Sequence, residues 1–121
     1  TKLINHDGAT LEPGIKVFQA AAANADWKNA PDFYLILTDQ PGKETWPITG
    51  ATFILMHKKQ EHPDRAKEVL KFFDWAYKNG AQLAESLDYV PMPQSAAAIF
   101  EDSWKQIVGP DGKSVWDGHS S

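Results

Sequence analysis

Cysteine is absent from this 121-residue chain, and arginine occurs once, at Arg65. Without cysteine there can be no disulfide, no zinc site built on thiolates and no thiol nucleophile. With a single guanidinium group, the chain cannot hold an oxyanion between the paired N–H groups of several arginines. Any anion site must therefore be built from backbone amides, from hydroxyl groups or from residues elsewhere.

A basic charge excess and a long apolar run are also missing. Twelve Lys and Arg residues stand against sixteen Asp and Glu residues, a net charge of -4, so no basic footprint for nucleic acid or anionic lipid is expected. The longest apolar runs, residues 33–37 and 96–100, are far shorter than the roughly 20 residues of a membrane span. Because the sequence starts at Thr1 without a methionine or a signal peptide, we expect a processed or cut chain, with any secretion signal outside it.

Apolar material is sufficient for one packed core, since 42% of the residues are hydrophobic and 12% are aromatic. Apolar residues at helical spacing predict four helices, the clearest of which starts at Pro63 and stops before Gly80. The predicted helices cover residues 13–26, 63–79, 81–87 and 95–108.

The apolar pair Leu3-Ile4, followed by the turn-forming residues 5–8, predicts a short strand end and a turn at Gly8. Strands are predicted at two further places. Residues 52–57 contain four consecutive apolar residues, a pattern typical of a strand covered by helices on both faces of a parallel or mixed α/β sheet. Residues 33–37 also favour a strand, although so short a run fits a helical turn as well. We expect the helix of residues 63–79 to pack on the strand of residues 52–57 through Val69, Leu70 and Phe73. A sheet covered by helices in this way makes the fold class α/β.

Catalytic and metal-binding patterns are weak. Ser120 and Ser121 lack the glycine-flanked turn that holds a nucleophilic serine. Glu101 and Asp102 are neighbours that point about 100° apart on a helix, which favours a solvated face over shared chemistry. His57 and His62 lack the third ligand and the helical spacing of a zinc site. We therefore expect no enzyme, no metal and no cofactor.

A hydroxyl-bearing stretch, Thr49-Gly50-Ala51-Thr52, is the one local candidate for an anion cradle. Its amides and hydroxyls could face an oxyanion, but it lacks the glycine spacing of dedicated phosphate loops. A strand entry or hinge is the favoured interpretation. Thr49 and Thr52 are thus weak ligand candidates.

Several motifs together resemble a known family. They are Trp-Pro-Ile-Thr at residues 46–49, Thr-Phe-Ile-Leu at 52–55, Val-Leu-Lys-Phe-Phe-Asp-Trp-Ala-Tyr at 69–77 and Leu-Asp-Tyr at 87–89. As a set they are similar to the carboxy-terminal part of the periplasmic phosphate-binding proteins (PstS family) of phosphate ABC importers. The resemblance covers nearly the whole chain.

The resemblance implies part of a two-lobed periplasmic-binding-protein fold of type II, with a mixed sheet flanked by helices. Residues 1–50 would end one lobe, the second by resemblance, and residues 51–121 would form the carboxy-terminal part of the other. The crossing between lobes would be made by Thr49, Gly50, Ala51 and Thr52.

The function that the resemblance implies is capture of inorganic phosphate and its delivery to a membrane ABC permease, in the periplasm or outside the cell. The family's phosphate ligands lie in earlier segments, so none is assigned here. We expect the exposed contact surfaces to be covered by a missing amino-terminal segment or by self-association. The alternative is a protein-interaction module whose helix at residues 63–79 presents Phe72 and Trp75 to a partner; an enzyme ranks third.

Overall fold

The computed structural model describes residues 1–118. Its strands are β1 (Leu3–Ile4) and β2 (Thr10–Leu11), and its helices are α1 (Ile15–Asn24), α2 (Pro63–Asn79), α3 (Ala81–Ser86) and α4 (Gln94–Ser103). Short 3₁₀ turns occupy Trp27–Asn29, Pro31–Phe33 and Trp104–Gln106. The chain is therefore a mixed helix and strand structure in which helices predominate.

The amino-terminal hairpin is fastened to a distant loop by one amide side chain. β1 and β2 pair antiparallel, and Gly8 takes the left-handed backbone (φ 79°) that the turn between them needs. The buried Asn5 side chain donates to the carbonyl oxygens of Gly42 (2.9 Å), Lys43 (3.0 Å) and Thr45 (3.2 Å). This network holds the hairpin against the loop that precedes Trp46.

A first apolar cluster joins α1 to α4. Its buried members are Ala22, Ala25, Trp27, Leu37 and Ala96. The Trp27 ring meets Phe100 edge to face at 5.0 Å, and its indole N–H donates to the Ala22 carbonyl oxygen at 2.7 Å. Small alanines on both helices allow the close approach that the large indole then fills.

A second apolar cluster joins α2 to the residues after α4. Its buried members are Ala66, Leu70, Ile107, Val115 and Trp116, with Met56 and Trp104 packed against them. The N–H of Val115 donates to the Ile107 carbonyl oxygen at 2.8 Å. That pairing turns the chain back around Gly112, which has a positive φ of 76°, and it explains why the helical region ends before residue 108.

The helix predictions are confirmed, with shifts at the ends. α2 has the predicted bounds, α1 and α3 fall within the predicted ranges, and α4 with its 3₁₀ turn covers most of residues 95–108. Helices form where predicted because each one satisfies its own backbone hydrogen bonds.

The strand predictions for residues 52–57 and 33–37 are wrong for this structure. Neither stretch pairs with another strand within residues 1–118, because a strand needs a neighbour for its backbone groups and none lies alongside. Because no strand forms at residues 52–57, α2 packs instead on the second apolar cluster. Leu70 is fully buried, whereas Val69 is exposed and Phe73 is half-buried.

Candidate functional site

The predicted crossing begins at a firmly anchored tryptophan. Trp46 is buried, packs edge to face on Phe18 at 5.7 Å and donates its backbone N–H to the Val17 carbonyl oxygen at 3.0 Å. The Thr49 hydroxyl lies 3.4 Å from the Trp46 carbonyl oxygen, at the long end of hydrogen-bond distances. The residues predicted to form the crossing are therefore anchored at their amino-terminal side.

Beyond Thr49 the chain runs without turn or bend to residue 57. Ala51 packs against the first apolar cluster, and Met56 packs against the second. Thr52 is exposed, and open space surrounds the position that a side chain on Gly50 would take. The structure thus places Thr49, Gly50, Ala51 and Thr52 on the connection between the two clusters.

A cleft of about 500 Å³ lies beside Met56 at the start of α2. Its lining combines apolar residues with basic ones, among them Lys59 and Arg65. Glu68, three residues after Arg65 on α2, binds the Lys71 ammonium through its carboxylate at 3.0 Å. Within residues 1–118, Arg65 makes no ion pair.

His57 and His62 both line this cleft. Within residues 1–118, no group of three His, Cys, Asp or Glu side chains is placed to hold a metal ion. Ser120 and Ser121, considered above as nucleophiles, lie outside the described residues. In the described part of the chain, no helix is long and apolar enough to cross a membrane.

The neighbouring acids of α4 have separate environments, and the expectation of a solvated face holds only for Asp102. The Asp102 carboxylate is exposed and accepts a hydrogen bond from Lys105 at 2.6 Å, which lowers its pKa. Glu101 turns inward, because successive helical residues point about 100° apart. Its Oε1 atom is buried and has no hydrogen-bond partner within residues 1–118.

Glu101 faces a charged group on α2. Burial raises the pKa of Glu101, the nearby Asp74 carboxylate raises it further, and Lys78 opposes them. Asp74 is itself buried and binds the Lys78 ammonium at 2.8 Å. Burial, followed by the charge of Glu101, also raises the pKa of the Tyr77 hydroxyl. Sequence reasoning missed this group; the signal available to it was the acid at position 74, which falls on the apolar face of α2.

Comparison with known proteins points to the same family as the sequence motifs. No protein-family profile matches the chain, whereas several curated proteins named phosphate-binding protein PstS do match. The protein of Pasteurella multocida is 44% identical over 115 residues, 94% of this chain and 33% of that protein. That of Haemophilus influenzae is 41% identical over 103 residues, 85% of this chain and 31% of that protein. That of Xylella fastidiosa is 42% identical over 104 residues, 86% of this chain and 29% of that protein.

The resemblance to the PstS family is therefore confirmed, and this chain matches a part of a PstS phosphate-binding protein. It spans about a third of the length of the curated relatives it matches. Although Phe72 and Trp75 of α2 are exposed, the relatives' names do not favour the alternative of a protein-interaction module.

Proposed function

We propose that the chain is the carboxy-terminal portion of an extracytoplasmic solute-binding protein that captures inorganic phosphate and delivers it to a membrane ABC permease. The observation that carries this proposal is the 44% identity to a phosphate-binding protein over 94% of the chain. On the same basis the protein acts in the periplasm or outside the cell, as a binding protein rather than an enzyme.

The proposed architecture is a two-lobed fold of type II, with a mixed sheet flanked by helices. Residues 1–50 complete one lobe, and residues 51–121 form the end of the other. The course of the chain supports a crossing at this point, because Ala51 packs against the first cluster and Met56 against the second. Ala96 of α4 lies in the first cluster again, so the proposed lobes are not the same as the two clusters. Thr49, Gly50, Ala51 and Thr52 are then the crossing between the lobes.

The phosphate ligands are proposed to lie in the two thirds of the relatives that this chain does not match. Binding an anion without a metal needs several convergent donors, such as amides at a helix amino terminus with hydroxyls or a guanidinium. Here Thr49 turns its hydroxyl toward the Trp46 carbonyl oxygen, and Arg65 lies in the cleft beside Met56. These positions support a role of Thr49 and Thr52 in the crossing rather than in phosphate binding.

Calorimetric titration with inorganic phosphate tests this assignment. The 121-residue chain alone should give no saturable heat. The same chain fused to the unmatched two thirds of the Pasteurella multocida protein should bind phosphate at one site per molecule. Thr49→Ala and Thr52→Ala in the fusion should leave the affinity within a few-fold of the parent, and Ser114→Ala serves as a control hydroxyl removed from the crossing.

Two results would contradict the proposal in different ways. Saturable binding by the chain alone, lost in Thr49→Ala or Thr52→Ala, would place the phosphate site on this segment. A folded fusion protein that fails to bind phosphate would contradict the proposed function itself.

A further inference from the structure

The cleft beside Met56 is lined by apolar and cationic side chains together. Met56, Ala66 and Val69 contribute apolar surface, and Lys59 and Arg65 contribute positive charge. Its volume of about 500 Å³ lies in the usual range for ligand sites, roughly 300–1,000 Å³. The cleft is therefore large enough for a ligand that is bigger than a single inorganic anion and partly apolar.

The cations of this lining are unpaired in the described part of the chain. The neighbouring Lys58, which does not line the cleft, binds Asp32 at 2.8 Å. Within residues 1–118, neither Lys59 nor Arg65 forms an ion pair. Among the described residues of the lining, Glu61 is the only acid. The positive charge of Lys59 and Arg65 is therefore available to an acidic partner.

The segment that carries part of this lining is fixed by hydrogen bonds. The Gln60 N–H donates to the Val108 carbonyl oxygen at 2.8 Å, and the Val108 N–H donates to the Lys58 carbonyl oxygen at 2.7 Å. The Gln60 side-chain amide also donates to the His57 carbonyl oxygen at 2.6 Å. The backbone beside Lys59 is therefore ordered before a ligand binds, which reduces the entropic cost of binding.

The lining determines which chemistry an occupant needs. Carboxylates match the guanidinium of Arg65 and the ammonium of Lys59, and a large apolar side chain matches the surface of Met56 and Val69. A nucleic acid or an anionic membrane is disfavoured, because the chain has one arginine and a net charge of -4. A peptide that carries both carboxylates and an apolar residue fits the whole lining.

We propose that this cleft is a docking site for an acidic peptide segment of another protein, in which carboxylates flank a large apolar side chain. Lys59 and Arg65 bind the carboxylates, and the apolar side chain packs on Met56 and Val69. The charge complementarity selects the partner and speeds its association. The interaction is separate from phosphate capture, for which no residue of the cleft is proposed as a ligand.

Fluorescence anisotropy tests the proposal on the complete 121-residue chain. The labelled probe is the peptide Asp-Glu-Leu-Phe-Glu-Asp. A neutral comparison peptide has Asn and Gln in place of the acids, and a second has Gly-Gly in place of Leu-Phe. The cleft double variant, Lys59→Gln with Arg65→Gln, removes two charges from the lining. The control double variant, Lys16→Gln with Lys43→Gln, removes two charges from exposed side chains elsewhere.

We expect the parent chain and the control double variant to bind the acidic probe saturably, and each comparison peptide more weakly. The cleft double variant should lose roughly tenfold in affinity, the effect of two exposed ion pairs. Val69→Asp should also weaken binding, whereas Val90→Asp, at a valine 39% exposed against 42% for Val69, should not. Added salt should weaken binding by the parent more than binding by the cleft double variant.

Equal affinity of the two double variants for the acidic probe, or equal binding of the acidic and neutral peptides, would overturn the proposal. Displacement of the probe by phosphatidylserine vesicles or by inorganic phosphate would assign the cleft to a lipid surface or to a simple anion instead. A dimer of the parent chain that the cleft double variant dissociates would assign it to a second copy.

The fusion with the unmatched two thirds of the Pasteurella multocida protein gives a further test. Probe binding that is present in the chain alone and absent from the fusion would overturn the docking site, because the rest of the protein would then cover the cleft. Phosphate titration of the same fusion is read separately, so a fusion that binds phosphate without binding the probe leaves the proposed function standing.

Discussion

Helix α2 and residues 50–57 lie close together in the sequence, and both carry large apolar side chains. α2 buries Ala66 and Leu70 in the second cluster, and its other face carries the charged side chains that form ion pairs such as Lys71 with Glu68. Residues 50–57 have only Ala51 and Met56 against a cluster and form no backbone–backbone hydrogen bond within residues 1–118. Within residues 1–118, α2 satisfies its backbone and buries one face, whereas residues 50–56 form no backbone–backbone hydrogen bond.

The difference lies in where each structure finds its hydrogen bonds. An α-helix pairs each N–H with a carbonyl four residues earlier, so it needs its neighbours only for side-chain packing. A strand pairs with residues distant in sequence or on another chain. A segment with strand-like composition therefore remains unpaired when the partner strand is not provided.

The largest effect is expected where α2 meets the second cluster. Leu70→Ala should lower the free energy of unfolding by about 2–5 kcal/mol, the usual range for truncating a fully buried leucine. Chemical denaturation followed by circular dichroism measures the change. A midpoint within error of the parent would mean that α2 is not held by this cluster.

A smaller effect is expected one turn further along the same helix. Phe73 is half-buried and lies 5.6 Å from the Phe72 ring, so Phe73→Ala should cost roughly 1–2 kcal/mol, because only part of its apolar surface leaves water on folding. The same denaturation experiment applies. A loss as large as that of Leu70→Ala would place Phe73 in the core after all.

The free energy of unfolding should also depend on pH through Glu101, the acid that α4 turns toward α2. Because the pKa of Glu101 is raised in the folded chain, the folded state binds this proton more tightly than the unfolded state. The free energy of unfolding should therefore fall as the pH rises from the ordinary glutamate pKa through the raised one. Glu101→Gln should remove that fall and raise the melting temperature at neutral pH.

Glu85→Gln on α3 is the matched control for this pH dependence, since Glu85 is exposed. Thermal melts between pH 4 and pH 8 compare the two variants with the parent chain. If Glu101→Gln and Glu85→Gln shift the melting temperature equally at every pH, the buried position of Glu101 has no energetic consequence.

The smallest effect is expected in residues 50–57. Leu55 is 93% exposed, so Leu55→Ala should change the free energy of unfolding by less than about 0.5 kcal/mol. A loss comparable to that of Leu70→Ala would show that this segment is already packed in the isolated chain, and the contrast with α2 would disappear.

Sequence reasoning located the helices better than the packing around them. Apolar spacing with Pro63 and Gly80 at the ends was enough to place α2. It did not distinguish the buried Leu70 from the exposed Val69, because both lie on the broad apolar face of the helix. It also placed Glu101 on a solvated face, because only the approach of α2 to α4 buries one oxygen of that side chain.

By itself, the sequence determined the helices, the turn at Gly8 and the similarity to PstS, because these depend on local spacing, backbone preference and residue identity. Only the tertiary structure decided which apolar residues are covered. It brings Trp27 against Phe100 and Leu70 into one cluster with Trp116, and it leaves Leu55 in water. The physical reason is that burial and strand pairing depend on contacts between distant residues, and no local pattern specifies whether the second partner is present.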